Sequence, residues 1–176
     1  MTAERVHEIL DRLAAAGIEA VVDGGWGVDA LLGRQTRPHQ DLDLVVGLDA
    51  VPRIREALGA WGFELVEDHL PVRFVLAHPE IGQIDFHTVT WDAEGGGVQP
   101  QPGGGTFRYP PEGFTEGSVG SRAVRCISTE VQLLCHVGYE PGPVDAHDVL
   151  LLHRRFGVEL GLELPAVYRR FLKAGE

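Results

Sequence analysis

Three observations predict an α+β or mixed α/β fold. Short apolar or alternating runs at residues 19–22, 41–46, 63–67, 72–77 and 83–90 read as strands and occupy the first two-thirds of the chain. The last third, from Ser128 onward, carries helical signals. The strand at 41–46 opens on Asp41 and Asp43, which share one face, while Leu42 and Leu44 point to the other, which must be the core. Strands first and helices last suit this class better than repeated strand–helix units.

Taken in order, residues 4–16 form an amphipathic helix with Val6, Ile9, Leu10 and Leu13 at helical spacing and Gly17 as the stop. The strand at 19–22 runs into a glycine turn and a helix at 25–32 closed by Gly33. Residues 34–39 are a cation-rich loop in which Pro38 blocks further helix. After the acid-bearing strand, a helix is expected at 51–61, with Asp49 as its cap and Pro52 in the first turn. The three strands between 63 and 90 read as a meander. Residues 93–105, rich in Gly, Pro and Gln, read as a mobile loop, with strand-like sequence resuming at Thr106 and a further strand at 122–127. Ser128 or Thr129 caps a helix at 130–137, a break at 140–143 separates it from a helix at 144–156, and Pro165 opens a last helix with Tyr168, Phe171 and Leu172 on one face.

With 176 residues, 44% of them hydrophobic, the chain is expected to fold as one core at 1–127 with an appended helical part at 128–176. It contains no apolar run long enough to span a bilayer and no signal-peptide pattern, so a cytoplasmic protein is expected. Cys126 and Cys135 have no zinc spacing and are expected as buried free thiols. A net charge of −11 speaks against a nucleic-acid binder and suits cationic ligands and metal ions.

Two carboxylates held side by side require a compensating cation or a shared proton, and a hard dication bound by oxygens supplies the former. Asp85, interrupting the apolar strand at 83–90, is a third acid; three carboxylates on neighbouring strands can hold two Mg²⁺ ions that bridge nucleotide phosphates. Gly24-Gly25 at a helix start offers backbone N–H groups to an anion, and Arg34, Arg37 and His39 can add cationic contacts to a polyphosphate. The chain has no P-loop. Its Gly25-x-Gly27-x-x-Ala30 run matches a dinucleotide motif only formally, since the two acids lie at the start of the next strand, not one at its end.

Gly24-Gly25-Trp26, Asp41-Leu42-Asp43 and Asp85 together resemble the signature of the DNA polymerase β-type nucleotidyltransferase superfamily. The longer blocks at 23–31 and 37–43 are similar to the small lincosamide nucleotidyltransferases and, more distantly, the aminoglycoside nucleotidyltransferases. Arg125-Cys126-Ile127-Ser128 and the run at 132–139 look like the later block of the lincosamide group. The resemblance covers roughly residues 4–156. It implies a mixed, mostly antiparallel sheet flanked by helices, and Mg²⁺-dependent transfer of AMP from ATP (or another NMP from its triphosphate) to a hydroxyl of a small antibiotic. A lincosamide is the expected acceptor; an aminoglycoside, or a tRNA or protein modified by a toxin-like enzyme, are the alternatives, and a non-catalytic nucleotide-binding scaffold stands outside the enzyme class. Asp41 and Asp43 would hold the metals, Asp85 would complete the site and act as general base, and Gly24 and Gly25 would contact the triphosphate. Related enzymes often carry a lysine shortly after the Asp145 region; here residues 149–152 are apolar, leaving His147, His153 or Arg154 as substitutes.

Other candidates have competing structural readings. Trp26 either stacks on the nucleotide or packs in the core. Arg73 and His87 share the neighbourhood of Asp85 as substrate contacts or as solvated strand residues. Glu130 is a substrate contact or a first-turn helix stabiliser. His136 contacts substrate or is a hydrogen-bonded, semi-buried histidine. Asp145 and Asp148 meet a substrate amine or ribose, or charge the start of the next helix. A homodimer, with the acceptor pocket completed by the second subunit, is compatible with the sequence.

Overall fold

The computed structural model describes residues 1–136 and 142–157. Chain order is α1 (Ala3–Ala15), β1 (Ala20–Asp23), α2 (Gly24–Leu32), β2 (Asp41–Gly47), α3 (Val51–Gly59), β3 (Glu64–His69), β4 (Arg73–His78), β5 (Gly82–Trp91), β6 (Gly97–Pro100), β7 (Thr106–Tyr109), β8 (Phe114–Val119), β9 (Arg122–Ile127), α4 (Thr129–Cys135) and α5 (Pro143–Phe156), with 3₁₀ turns at Leu48–Ala50 and Pro111–Gly113. The sheet runs β3-β4-β5-β2-β1-β9-β8, and a β6–β7 hairpin extends from β5. Among the described strands only the β2–β5 and β1–β9 pairings are parallel, so the expected mixed, mostly antiparallel sheet flanked by helices is observed.

Side-chain parity divides the sheet. Val22, Leu42, Leu44, Val46, Ile84 and Phe86 point to one face, where Val6, Ile9 and Leu13 of α1 and Ile54 and Leu58 of α3 close a core. The opposite face carries Val21, Val45 and Val89, covered by Tyr109 of β7, Ile127 and Val131. Asp23, Asp41, Asp43, Asp85 and His87 belong to this second face by the same alternation, so sheet parity alone gathers the acids on one surface.

Local sequence accounts for most boundaries. Thr2 caps α1, Asp23 caps α2 by accepting from Gly24 N at 2.6 Å, and Ser128, not Thr129, caps α4. Asp49 is not the cap of α3: it lies in the preceding 3₁₀ turn, and the N-cap Ala50 makes no side-chain bond. The meander is confirmed, with β3 and β4 each beginning one residue later than expected and β5 one earlier.

The expected mobile loop at 93–105 is corrected, since β6 lies within it, and β8 was not anticipated at all. Both strands contain a glycine that serves close approach instead of a turn. A Cβ on Gly97 would meet Val89 Cβ at 3.1 Å, and one on Gly117 would meet the Ala30 carbonyl oxygen of α2 at 2.5 Å. Cys126 is a buried free thiol as expected, whereas Cys135 is only partly buried. No described helix is long and apolar enough to cross a membrane. The expected end of α4 at Val137, part of the break at 140–143 and the helix opening at Pro165 lie outside the described residues.

Candidate active site

Register places three carboxylates in a row across adjacent strands. Asp23 of β1 stands opposite Asp43 of β2, and Asp43 opposite Asp85 of β5. Asp41 sits one pleat earlier on the same face of β2. Burial raises the pKa of Asp23, Asp41 and Asp85 above the usual carboxylate range, and the charge on Asp43 pushes each the same way. Such a row calls for a cation. Asp85 Oδ1 is buried with no hydrogen-bond partner, and donor atoms of Asp43, Asp85 and His87 lie within 4.8 Å of one another. This donor set, two carboxylates and an imidazole with an orphaned buried oxygen, fits a divalent cation. The converging trio includes His87 in place of the expected Asp41.

His87 Nε2 is 3.8 Å from Asp43 Oδ1. Burial opposes its protonation, but Asp43, Asp23 and Asp85 outweigh that effect and hold its pKa at about 9 against an ordinary 6.5. Its proton is thus bound more tightly in the native state than in the unfolded chain. The stabilisation this supplies is complete below pH 6.5 and is lost as pH climbs through about 9. We expect an NMR titration of His87 without divalent cation to have its midpoint near 9, and Asp43→Asn to move it down. A wild-type midpoint near 6.5 would contradict this electrostatic picture.

Beside the carboxylates the chain turns through Gly24 (φ +57°) and Gly25. A Cβ on Gly24 would lie 2.1 Å from Asp43 Oδ2; one on Gly25 would lie 2.4 Å from Arg37 Nη2 and 2.6 Å from His39 Nδ1. The turn can therefore approach Asp43, Arg37 and His39 only because it lacks side chains. Gln132 of α4, fully buried, donates from Nε2 to the Gly24 carbonyl at 2.6 Å and so ties this helix to the turn.

A cavity of about 820 Å³ opens over this face. Its walls include Gly24, Gly25, Arg37, Asp41, Asp43, Arg73, His87, His136 and Asp145 from the sequence reading; Asp85 is not among them, and its Oδ2 accepts from Arg73 Nη1 at 2.6 Å. His136 Nδ1 lies 2.7 Å from the Gln132 carbonyl oxygen and its Nε2 3.8 Å from Asp145 Oδ1, so the two candidates from α4 and α5 are neighbours.

Three candidates lie away from the cavity. Trp26 is 2% exposed and packs in the core, its ring 4.5 Å from that of His39, the core reading of this residue. His39 is likewise buried, with Nε2 2.5 Å from Asp29 Oδ2, while Asp29 Oδ1 also accepts from Thr36 N and Oγ1. The pair pins the loop between α2 and β2 and does not face the cavity. Glu130 is exposed in the first turn of α4, outside the cavity lining.

The lysine substitutes are corrected too. The lining includes none of His147, His153 and Arg154, and Val149 and Leu152 pack against Val28 and Leu133. Among the described residues Arg37 is the guanidinium that faces α5, its Nε and Nη2 donating to Asp148 Oδ1 and Oδ2 at 3.0 and 2.6 Å. Sequence reading assigned no role to Asp23, Gln132, Gln99 or Tyr109. Asp23 was recognisable as an acid ending a strand before Gly-Gly, and Gln132 as a polar residue in an apolar helix. Gln99 and Tyr109 carried no such signal: Tyr109 Oη donates to Gln99 Oε1 at 3.2 Å, and Gln99 Nε2 to the Val72 carbonyl at 3.1 Å, which anchors the hairpin to the start of β4.

A glycine turn at a helix start, set against paired acids on one strand and a third acid on its parallel neighbour, is the arrangement of a nucleotidyltransferase, and comparison with known proteins agrees. The chain belongs to the aminoglycoside-2''-adenylyltransferase family, whose model matches residues 5–152. It is 32% identical over 149 residues to a lincosamide resistance protein of Staphylococcus haemolyticus, covering 85% of this chain and 92% of that one. A 2''-aminoglycoside nucleotidyltransferase of Escherichia coli is 31% identical over 144 residues, covering 80% and 76% respectively. The lincomycin-bound crystal structure of the lincosamide antibiotic adenylyltransferase LnuA superposes with a TM-score of 0.79 at 32% identity, over 86% of this chain and 96% of the other. The protein is thus a nucleotidyltransferase, a class that takes a nucleoside triphosphate and a divalent metal.

Proposed function

We propose that this enzyme transfers AMP from ATP to a hydroxyl of a lincosamide-type antibiotic and releases pyrophosphate. The observation that carries the reaction is the register of Asp43 with Asp85 beside the Gly24 turn. Gly24, Gly25 and Arg37 receive the triphosphate, and Asp41, Asp43 and Asp85 hold two Mg²⁺ ions with His87 alongside. When bound, such ions neutralise phosphate charge and lower the pKa of an acceptor hydroxyl. Asp85 takes the hydroxyl proton as the acceptor oxygen bonds to the α-phosphorus, and the bond to the β-phosphate oxygen breaks with its electron pair leaving on pyrophosphate. The helices at Thr129–Cys135 and Pro143–Phe156 close the pocket against the catalytic core at 1–127.

The acceptor assignment rests on the 32% identity to the lincosamide resistance protein and on the apolar part of the cavity lining. Val72, Phe107, Leu134 and Val144 supply apolar surface to the cavity, with Gln99 and Gln101 as neutral polar groups. Asp148 is already matched by Arg37. Such surface suits the apolar portion of a hydroxylated sugar. The test is pyrophosphate release from ATP and GTP with Mg²⁺ across lincosamides and aminoglycosides, with mass spectrometry of products. A gain of one AMP on a lincosamide is expected; adducts on aminoglycosides alone would overturn the acceptor assignment.

A further inference from the structure

We propose that Arg73 is a positioning residue for the general base. It holds Oδ2 of Asp85 and so fixes the plane of that carboxylate, and Glu67 holds Arg73 in turn. The inference rests on the reading of Asp85 as the base.

Three adjacent strands supply the parts: Glu67 from β3, Arg73 from β4 and Asp85 from β5. Arg73 Nη1 donates to Asp85 Oδ2 at 2.6 Å, and Nη2 donates to Glu67 Oε2. The two outer nitrogens of one rigid guanidinium are therefore committed to carboxylates on opposite sides, which fixes the plane of the group. Asp85 Oδ1, by contrast, is buried and without a hydrogen-bond partner. The carboxylate thus has one oxygen anchored by Arg73 and one without a protein donor. A carboxylate on a strand retains rotation about its terminal torsion, which is broad and roughly two-fold; the Arg73 bond removes that freedom before substrate arrives.

The ladder supports this role over direct substrate binding. Arg73 stands opposite His87, so the charged residues of this face run Glu67, Arg73, Asp85 and His87, then Asp43 across four strands, with each carboxylate beside a basic side chain. An arginine that served as a phosphate or acceptor contact would present its fork to the ligand, whereas here both ends of the fork face protein oxygens. Sequence reading placed Arg73 among substrate contacts; the geometry points to action through Asp85.

The experiment is steady-state kinetics on Arg73→Met, Arg73→Lys, Glu67→Gln and the Arg73→Met/Glu67→Gln double variant, with Asp85→Asn alongside and thermal melts of each. Misorienting a catalytic group costs on the order of 10²-fold, so Arg73→Met should lose about that factor in kcat while KM for ATP and for the acceptor stays within about twofold. Arg73→Lys, which cannot reach both carboxylates with a planar fork, should recover only part of the loss. Glu67→Gln should show a smaller kcat loss, and the double variant should be no slower than Arg73→Met, because Glu67 acts only through Arg73.

Full kcat in Arg73→Met, a loss confined to acceptor KM, or additive losses in the double variant would each overturn the proposal. Should Arg73→Met fail to fold, unchanged kcat in both Glu67→Gln and Arg73→Lys would do the same. The underlying reading is separable: substantial turnover in Asp85→Asn would remove the base assignment itself, whereas an inactive Asp85→Asn beside a fully active Arg73→Met would remove only the positioning role.

Discussion

With Asp85 as the proposed base, Asp85→Asn should lower kcat by about 10³-fold or more, since removing a general base alone costs roughly 10²–10⁴ and the proposed cation site would lose a carboxylate. The fold should survive. Asparagine keeps an oxygen that can accept from Arg73, and it removes a negative charge from a row that includes Asp43 directly opposite. The direction of the stability change follows from proton linkage. Burial pushes the pKa of Asp85 up, by more than His87 and Arg73 pull it down, so the native state binds this proton more tightly than the unfolded chain. Stability linked to Asp85 is then present at low pH and declines as pH rises through its raised pKa. At neutral pH, without divalent cation, the neutral variant should melt no lower than the wild type. Circular dichroism melts and single-turnover kinetics at saturating Mg²⁺ would check both halves, and near-normal turnover would dispose of the base assignment.

Gly24→Ala should be the most damaging of the glycine substitutions, because two penalties coincide. At φ +57° a non-glycine residue pays about 1–2 kcal/mol for its backbone alone. Its Cβ would also sit 2.1 Å from Asp43 Oδ2 and 2.7 Å from Asp43 Cγ, so the Asp43 side chain must leave its position opposite Asp85. Displacement of a cation-binding carboxylate by this amount predicts a turnover loss on the order of 10²-fold on top of the lower melting temperature. Gly120 supplies the control: its φ is +59°, yet an added Cβ would meet nothing within 4 Å. Gly120→Ala should lose a comparable backbone increment and keep full activity. Equal activity losses in the two variants would show that the approach of the turn to Asp43 is not what matters.

The separate behaviour of these glycines shows where sequence reading succeeds and where it stops. Asp41, Asp43 and Asp85 were legible because strand alternation assigns faces without any knowledge of neighbours, and Gly24-Gly25 because a strand running into a helix needs a turn there. The same rules misread residues 93–105, where glycine looked like loop punctuation. In the folded protein Gly97 lets β6 lie against Val89 and Trp91, and Gly117 lets β8 lie under α2. Close approach and flexibility leave the same letter in a sequence.

Histidine and tryptophan show the same limit. Trp26 and His39 carry the chemistry of ligand contacts, yet His39 pairs with Asp29 ten positions away and Trp26 packs its ring against that of His39. Arg37 and Asp148 lie 111 positions apart and declare their pairing only in three dimensions. The chain by its own order settled most of its element types and the face that bears the acids, since these follow from periodicity and parity within short windows, while the class of reaction came from the resemblance of its motifs to known nucleotidyltransferases. Tertiary structure alone decided that Arg37 meets Asp148, that Gln132 holds the glycine turn and that Arg73 anchors one oxygen of Asp85. Those choices depend on which distant strands and helices become neighbours, and no local preference encodes that.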